Sequence, residues 1–188
     1  ADREGCRIET GEVVVPKVFS DLYKGYTEAG WPAVSCDPVY GGHGLPNLLA
    51  CAVNENFMAA SLSFSLVTLL SQGAISALTK HGDSKLKALY LPKLVSGQWT
   101  GTMNLTEAQS GSDLSTVRTA AVKSGKDYLI KGQKIFISWG DHNVADNIIH
   151  LVLARVSGAA EGNSGLSLFI VPKYLLNEAG EIGERNDV

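Results

Sequence analysis

Thr119-Ala120-Ala121-Val122-Lys123, Tyr128-Leu129-Ile130, Lys134-Ile135-Phe136-Ile137, Ile148-Ile149-His150-Leu151-Val152-Leu153-Ala154 and Leu166-Ser167-Leu168-Phe169-Ile170-Val171 are short runs rich in β-branched and aromatic residues. Clusters of Gly, Asp, Asn and Ser separate them, as strands require. Lys131-Gly132 reads as a tight turn between two of them. Upstream the period is different. Phe19, Leu22, Tyr23, Tyr26 and Ala29 recur at i, i+3, i+4 and i+7, with Gly30 as the helix stop. The switch from a 3.6-residue to a 2-residue period falls near Ser96-Gly97. It predicts an α+β chain: an N-terminal all-helical domain over 1–97, then an antiparallel β-barrel or sandwich domain over 98–188, incomplete at its C-terminal end.

Within the helical part, residues 35–46 hold Pro38, Gly41, Gly42, Gly44 and Pro46 and read as a loop. A second helix is expected over 48–60. A third, over 61–80, is apolar on most of its circumference and is expected to be buried. Lys80 and His81 suit its negative C-terminal end, and Gly82 stops it. Asp83 or Ser84 caps the next helix, which Pro92 should limit.

Composition excludes several classes. Hydrophobic residues are 45% and charged residues 19%, ordinary for a globular fold. A net charge of -3 offers no basic field for nucleic acid or an anionic membrane. Cys6, Cys36 and Cys51 form no C-x-x-C pair, and His43, His81, His142 and His150 have no metal-ligand spacing, so neither disulfide nor metal is expected. The opening Ala1-Asp2-Arg3-Glu4-Gly5 is polar, and the most apolar run, 57–70, is shorter than the about 20 residues that span a bilayer. A cytoplasmic location and no membrane partner are the expectation. With no initiator Met and no terminating pattern at Asn186-Asp187-Val188, the chain is expected to be part of a longer one.

Two further stretches carry chemistry. Met103-Asn104-Leu105-Thr106-Glu107-Ala108-Gln109-Ser110-Gly111-Ser112-Asp113 is polar, glycine-containing and rich in hydroxyl and amide groups that suit a phosphate-bearing cofactor. Lys131-Gly132-Gln133-Lys134-Ile135-Phe136-Ile137-Ser138 is strand-like and ends in a hydroxyl. Taken singly, each part is ordinary. Gly111-Ser112-Asp113 is a turn and helix-cap sequence, Phe136 a core aromatic, Ser138 a strand end.

In this order, the two stretches resemble the flavin-binding middle segment of acyl-CoA dehydrogenases, worded close to "LTEP.AGSD" and then "G.K.WIT". The likeness extends over nearly the whole chain. It takes in Pro38-Val39-Tyr40-Gly41-Gly42-His43-Gly44-Leu45, then Leu91-Pro92-Lys93-Leu94 with Ser96-Gly97, and Gly165-Leu166-Ser167-Leu168-Phe169-Ile170-Val171-Pro172. The wording is most similar to a larger-subunit branch that includes dehydrogenases of 3-methylthiopropanoyl-CoA and of medium or long acyl chains.

The resemblance implies FAD as cofactor and α,β-dehydrogenation of an acyl-CoA thioester, with hydride passing from Cβ to flavin N5. It implies that Met103, Asn104, Leu105 and Thr106 run beside the flavin ring, with the Thr106 hydroxyl on the pyrimidine edge. Gly111 lets the main chain approach, and Ser112 meets the pyrophosphate or the CoA of the substrate. Phe136 stands for the usual Trp on the ring face, Ile137 follows it, and Ser138 stands for the usual Thr near N5. No catalytic residue is assigned: the family's glutamate base lies in a C-terminal helical domain that has no counterpart here. Glu107 is expected to brace the loop through backbone amides, and Asp113 to act as a cap. Ala108 replaces the common Pro. An electron-transfer flavoprotein as acceptor and a homo-oligomeric parent enzyme are also implied, as is inactivity of this stretch alone.

Rival chemistries lack their residues. There is no G-x-S-x-G, no G-x-x-x-x-G-K-[ST], and Gly41-Gly42-His43-Gly44 lacks dinucleotide-binding spacing. The remaining alternative is a folded binding or interaction module without flavin. A visible spectrum separates the two.

Overall fold

The structure is a computed structural model that describes residues 1, 3–177 and 179–188, so Asp2 of the polar opening run lies outside it. The chain opens with a hairpin, β1 (Arg7–Glu9) and β2 (Glu12–Val14), pairing Ile8 with Val13. This corrects the all-helical reading of residues 1–97. Strands of three residues are too short for alternation to show. The turn is visible instead in backbone angles, with φ 51° at Thr10 and 85° at Gly11, the pair of positive values that a two-residue hairpin loop requires. The hairpin is held by residues far along the chain. Tyr174 donates its hydroxyl proton to Glu12, and Arg185 Nη1 donates to the Gly11 carbonyl at 3.0 Å.

Four helices follow. The first, α1 (Lys17–Glu28), buries Tyr23 and Tyr26, and the Tyr23 hydroxyl donates to the Gly97 carbonyl at 2.7 Å. Residues 31–46 are loop apart from single 3-10 turns at Trp31–Ala33 and Pro38–Tyr40. The pair α2 (Asn47–Ala60) and α3 (Leu62–His81) is separated by Ser61, whose Oγ accepts from the Phe64 amide. Asp83 caps α4 (Ser84–Val95) by accepting from Leu86 N at 2.8 Å. Contrary to expectation, Pro92 does not limit α4, which runs on to Val95. The ring withholds only the N–H that the Ala88 carbonyl would accept. Burial of Leu91, Leu94 and Val95 holds the last turn.

Of the helices, α3 sets the architecture. At 20 residues and mean hydropathy 1.4 it is long and apolar enough to cross a bilayer by length and composition, unlike the shorter run expected from sequence. Here it lies across a sheet, with Ala74, Ile75 and Leu78 buried. The approach is close. A Cβ on Gly101 of the sheet would stand 2.4 Å from Ala74 Cβ, and the Gly101 amide donates to Ser71 Oγ.

The sheet is built on β6 (Asn147–Val156), buried along most of its length. One edge pairs antiparallel with β7 (Leu166–Pro172). The other pairs in parallel with two strands in succession: β3 (Trp99–Asn104) along residues 147–152, then β4 (Ala120–Ser124) at Arg155 and Val156. The β4 strand continues into the antiparallel hairpin with β5 (Asp127–Lys131). A small pair, β8 (Tyr174–Leu176) and β9 (Ile182–Arg185), ends the chain. The expected antiparallel barrel or sandwich is therefore corrected to mixed sheets, none closed, among the described residues. A period of two places side chains on alternate faces in either strand direction, so it cannot report polarity.

Two further readings are corrected. Lys131-Gly132 is not a turn between strands. The hairpin turn lies at Gly125-Lys126, with φ 62° at Gly125 and Ser124 opposite Asp127. Residues 134–137 form no strand either, because Phe136 has φ 57°, outside extended backbone.

The core sits on the seam between helices and sheet. One cluster joins Ile75, Leu78, Leu91 and Leu94 to Trp99 and Ile149. A second joins Tyr23, Tyr26, Phe64 and Val67 to Phe19, Phe57 and Trp139.

Candidate functional site

The shared edge of β6 explains the shape of the site. Chain 99–104 leaves that edge after Asn104 and returns to it at Ala120, so residues 105–119 are an excursion from an interrupted strand. Its return is fixed by Arg155 N donating to the Thr119 carbonyl at 2.8 Å.

Inside the excursion, Glu107 and Ser110 exchange both backbone hydrogen bonds, at 2.9 and 3.0 Å, which closes a tight turn over Ala108 and Gln109. The Glu107 carboxylate then turns inward, only 5% exposed. It accepts from Gln109 Nε2 at 2.6 Å, Arg118 N at 2.8 Å, Thr119 N at 3.0 Å, Thr119 Oγ1 at 2.6 Å and Lys134 Nζ at 2.8 Å. Burial alone would raise its pKa. The Lys134 ammonium and the Thr119 and Arg118 donors outweigh burial and hold the carboxyl down at about 2. This is the bracing role expected of Glu107, and a group so weakly basic is unsuited to proton abstraction. Asp113 is also a cap: its Oδ1 accepts from Ser115 N at 2.9 Å and opens the 3-10 turn Leu114–Thr116.

Lys134 draws the second segment against the first. Its ammonium also donates to the Leu105 carbonyl at 2.9 Å, and the next residue, Ile135, donates its amide to the Thr106 carbonyl at 3.0 Å. Leu105 and Thr106 thus lie beside Ile135, with Phe136, Ile137 and Ser138 following directly. Met103 projects on the α3 side, its Cγ 3.9 Å from where a Gly73 Cβ would stand. Asn104 accepts from Thr102 Oγ1 at 2.6 Å. Gly111 and Ser112 sit apart on the exposed turn before residue 113, and no hydrogen bond among the described residues joins them to 136–138.

The hydroxyls of the site divide sharply. Those of Ser110, Thr116 and Thr119 are engaged within the chain. Those of Thr106, Ser112 and Ser138 make no hydrogen bond among the described residues, and that of Ser115 has only the adjacent Asp113 carboxylate to face. A Cβ on Gly111 would meet nothing within 4 Å, so the chain's own packing does not require glycine there. The Phe136 ring is 87% exposed beside Ser138. Uncommitted hydroxyl donors, an accessible main chain and an exposed aromatic ring form a donor set that fits a flavin, with its polar pyrimidine edge, phosphates and flat ring.

Several residues that order the site have no local sequence signal. Lys134 lies inside the quoted motif, but its partner is remote. His150 is buried with Nδ1 2.7 Å from Thr102 Oγ1, and His142 has Nε2 3.0 Å from Thr100 Oγ1. Val144 N donates to His142 Nδ1, so Nε2 carries the proton and donates to Thr100. Arg155 donates to the carbonyls of Ser115, Ala160 and Gly162, tying the excursion to the loop before β7. Trp139 donates from its indole N–H to the Ser63 carbonyl at 2.8 Å.

Comparison with known proteins bears on the family and the fold. The profile "Acyl-CoA dehydrogenase, N-terminal domain" matches residues 8–98, and "Acyl-CoA dehydrogenase, middle domain" matches residues 102–183. The chain is 49% identical over 98% of its length to 3-methylmercaptopropionyl-CoA dehydrogenase of Ruegeria pomeroyi, covering 32% of that protein. It is 39% identical over its full length to a butyryl-CoA dehydrogenase of Syntrophomonas wolfei, again covering 32%. It thus spans about a third of the length of these relatives. Among solved structures, acyl-CoA dehydrogenase of Bacillus anthracis complexed with FAD superimposes with TM-score 0.71 at 27% identity, over 84% of this chain and 26% of the other. By both profiles and by its relatives, the chain belongs to the acyl-CoA dehydrogenase family.

Proposed function

We propose that this chain forms the flavin-binding part of an enzyme that dehydrogenates an acyl-CoA thioester between Cα and Cβ. The observation that carries the proposal is the set of uncommitted hydroxyls at Thr106, Ser112 and Ser138, in a neighbourhood where Ser110, Thr116 and Thr119 are all engaged. When bound, FAD supplies the redox chemistry as acceptor of the hydride from Cβ. The chain supplies placement. Met103, Asn104 and Leu105, with the Thr106 hydroxyl, would hold the flavin ring through main-chain groups and that donor. Ser112 donates to pyrophosphate or to the CoA of the substrate, at the turn where Gly111 leaves the backbone accessible. Phe136, flanked by Ile137, and the Ser138 hydroxyl would help hold the flavin, Phe136 through its exposed ring and Ser138 as a hydrogen-bond donor. The Glu107–Lys134 pair holds the two segments at this spacing and handles no proton. The base comes from outside these residues, from a C-terminal helical domain, and an electron-transfer flavoprotein takes the electrons. The whole enzyme is proposed to be a cytoplasmic homo-oligomer.

The test is a visible spectrum of the full-length protein together with dye reduction by 3-methylmercaptopropionyl-CoA and butyryl-CoA. Flavin absorbance bleached by an acyl-CoA is expected, with no turnover from residues 1–188 alone. A colourless full-length protein would favour a binding module without flavin, and turnover by residues 1–188 would place a base within them.

A further inference from the structure

Residues 137–140 form a turn closed by Gly140 N donating to the Ile137 carbonyl at 3.0 Å. Of its two central residues, Ser138 and Trp139, only Trp139 has positive φ, at 53°. That is the third position of a type II-like turn, which glycine or asparagine ordinarily fills because a large side chain is disfavoured in the left-handed region. A tryptophan there is held by its surroundings. Its indole N–H donates to the Ser63 carbonyl in the first turn of α3 at 2.8 Å. Its ring stands edge-on to Phe19 of α1, centroids 5.5 Å apart, and to His142, 5.4 Å apart. Non-glycine residues in this conformation persist where surrounding contacts over-determine them.

Ser138 is therefore bracketed. Upstream, Lys134 and Ile135 fasten the chain to Leu105, Thr106 and Glu107. Downstream, Trp139 fastens it to α1 and α3. The Ser138 hydroxyl is uncommitted between these two anchors. We propose that Trp139 is a positioning residue: through the turn it closes, it holds the Ser138 hydroxyl at a fixed place relative to the Leu105–Thr106 edge. This rests on the flavin reading above, in which that hydroxyl meets the cofactor.

Two variants separate the tether from the turn. Trp139→Gly installs a residue the turn favours and removes every anchor. Trp139→Phe keeps a ring for Phe19 and His142 and removes the N–H. Without flavin, amide hydrogen exchange over residues 134–140 should accelerate by about tenfold or more in Trp139→Gly, while exchange over 99–104 stays at the wild-type rate. In the full-length protein, FAD should bind about 2- to 10-fold more weakly and its visible band should shift, the loss expected for one ill-placed hydrogen bond. Trp139→Phe should fall between. Unchanged exchange over 134–140 overturns the proposal. So does a Trp139→Gly protein that matches wild type in FAD affinity and spectrum, even if its melting temperature falls, because that pattern marks a structural residue only. A wild-type protein that binds no FAD overturns the flavin reading, and the role toward the cofactor with it. In that case exchange still reports whether the tether orders the turn.

Discussion

Replacing Glu107 by glutamine tests whether the candidate flavin loop is ordered by a buried charge. The carboxylate is 5% exposed and Lys134 8%, with 2.8 Å between them, so this is not a screened surface pair. Holding the carboxyl at about 2, against 4.5 for an unperturbed glutamate, corresponds to about 3 kcal/mol favouring the ionised form at neutral pH. Glu107→Gln removes the charge and leaves the Lys134 ammonium without a countercharge, even where the amide oxygen keeps the place of Oε1 toward Thr119 and Lys134. It also turns an NH₂ toward amides that need an acceptor. Breaking a buried pair from one side costs about 3–5 kcal/mol, so about 3 kcal/mol is expected, or a fall of about 6–12 °C in melting temperature for a chain of this size. The pH dependence fixes the cause. A depressed folded pKa stabilises above the unfolded value of 4.5 and is lost as pH falls through about 2, so the gap between variant and wild type should be full at pH 6 and close across that window. Thermal unfolding followed by circular dichroism at pH 7, 4 and 2.5 makes the measurement. Glu107→Gln with Lys134→Met should recover part of the loss, since it leaves no unpaired charge. A gap of less than about 1 °C at pH 7, or one constant down to pH 2.5, would refute the reasoning.

A second acid window lies higher. Burial holds His142 and His150 near a pKa of about 4, aided in both by the Lys173 cation. Each therefore stays neutral when folded and takes up a proton on unfolding between 6.5 and 4, so stability should decline as pH falls across that range. His150→Gln should flatten the decline in a urea titration series; an unchanged slope would show that His150 contributes nothing. Gly101→Ala places a methyl 2.4 Å from Ala74 Cβ and should cost about 1–3 kcal/mol by denaturant unfolding, partly restored by Ala74→Gly. Trp99 is 2% exposed, with an indole N–H lacking a partner among the described residues. Trp99→Phe removes that orphan donor along with some packing against Tyr90, so its melting should show a net change within about 1 kcal/mol, far smaller than the about 3–5 of a Trp-to-Ala truncation.

What the sequence revealed follows the reach of each signal. The α1 stripe, the Asp83 cap and the change of period after Ser96-Gly97 are all written within a turn or two of chain, and each has its counterpart in the structure. The β1–β2 hairpin is not legible in the sequence, because its strands are three residues long and its fastenings, Tyr174 and Arg185, lie at the other end of the chain. Strand direction is not legible either, because alternation is blind to it. Residues 134–137 have the β-branched and aromatic composition of a strand, yet nothing local announces that Lys134 turns in to Glu107 or that Phe136 takes a left-handed backbone.

These gaps share one physical origin, and it bears on the site. The excursion over 105–119 exists because β3 and β4 occupy one edge of β6 in succession, an arrangement set by pairing with residues 147–156. A loop inserted into a strand edge needs partners for its inward polar groups, or it would carry buried unpaired donors. Glu107 meets that need with five accepted hydrogen bonds, three of them from Arg118 and Thr119 as the chain re-enters the sheet and one from the Lys134 ammonium. With the inner face of the loop saturated in this way, the outer hydroxyls of Thr106, Ser112 and Ser138 are left for something other than the chain itself. The acidic residue that most resembles a catalyst in the sequence is thus the one whose burial leaves the site's donors available.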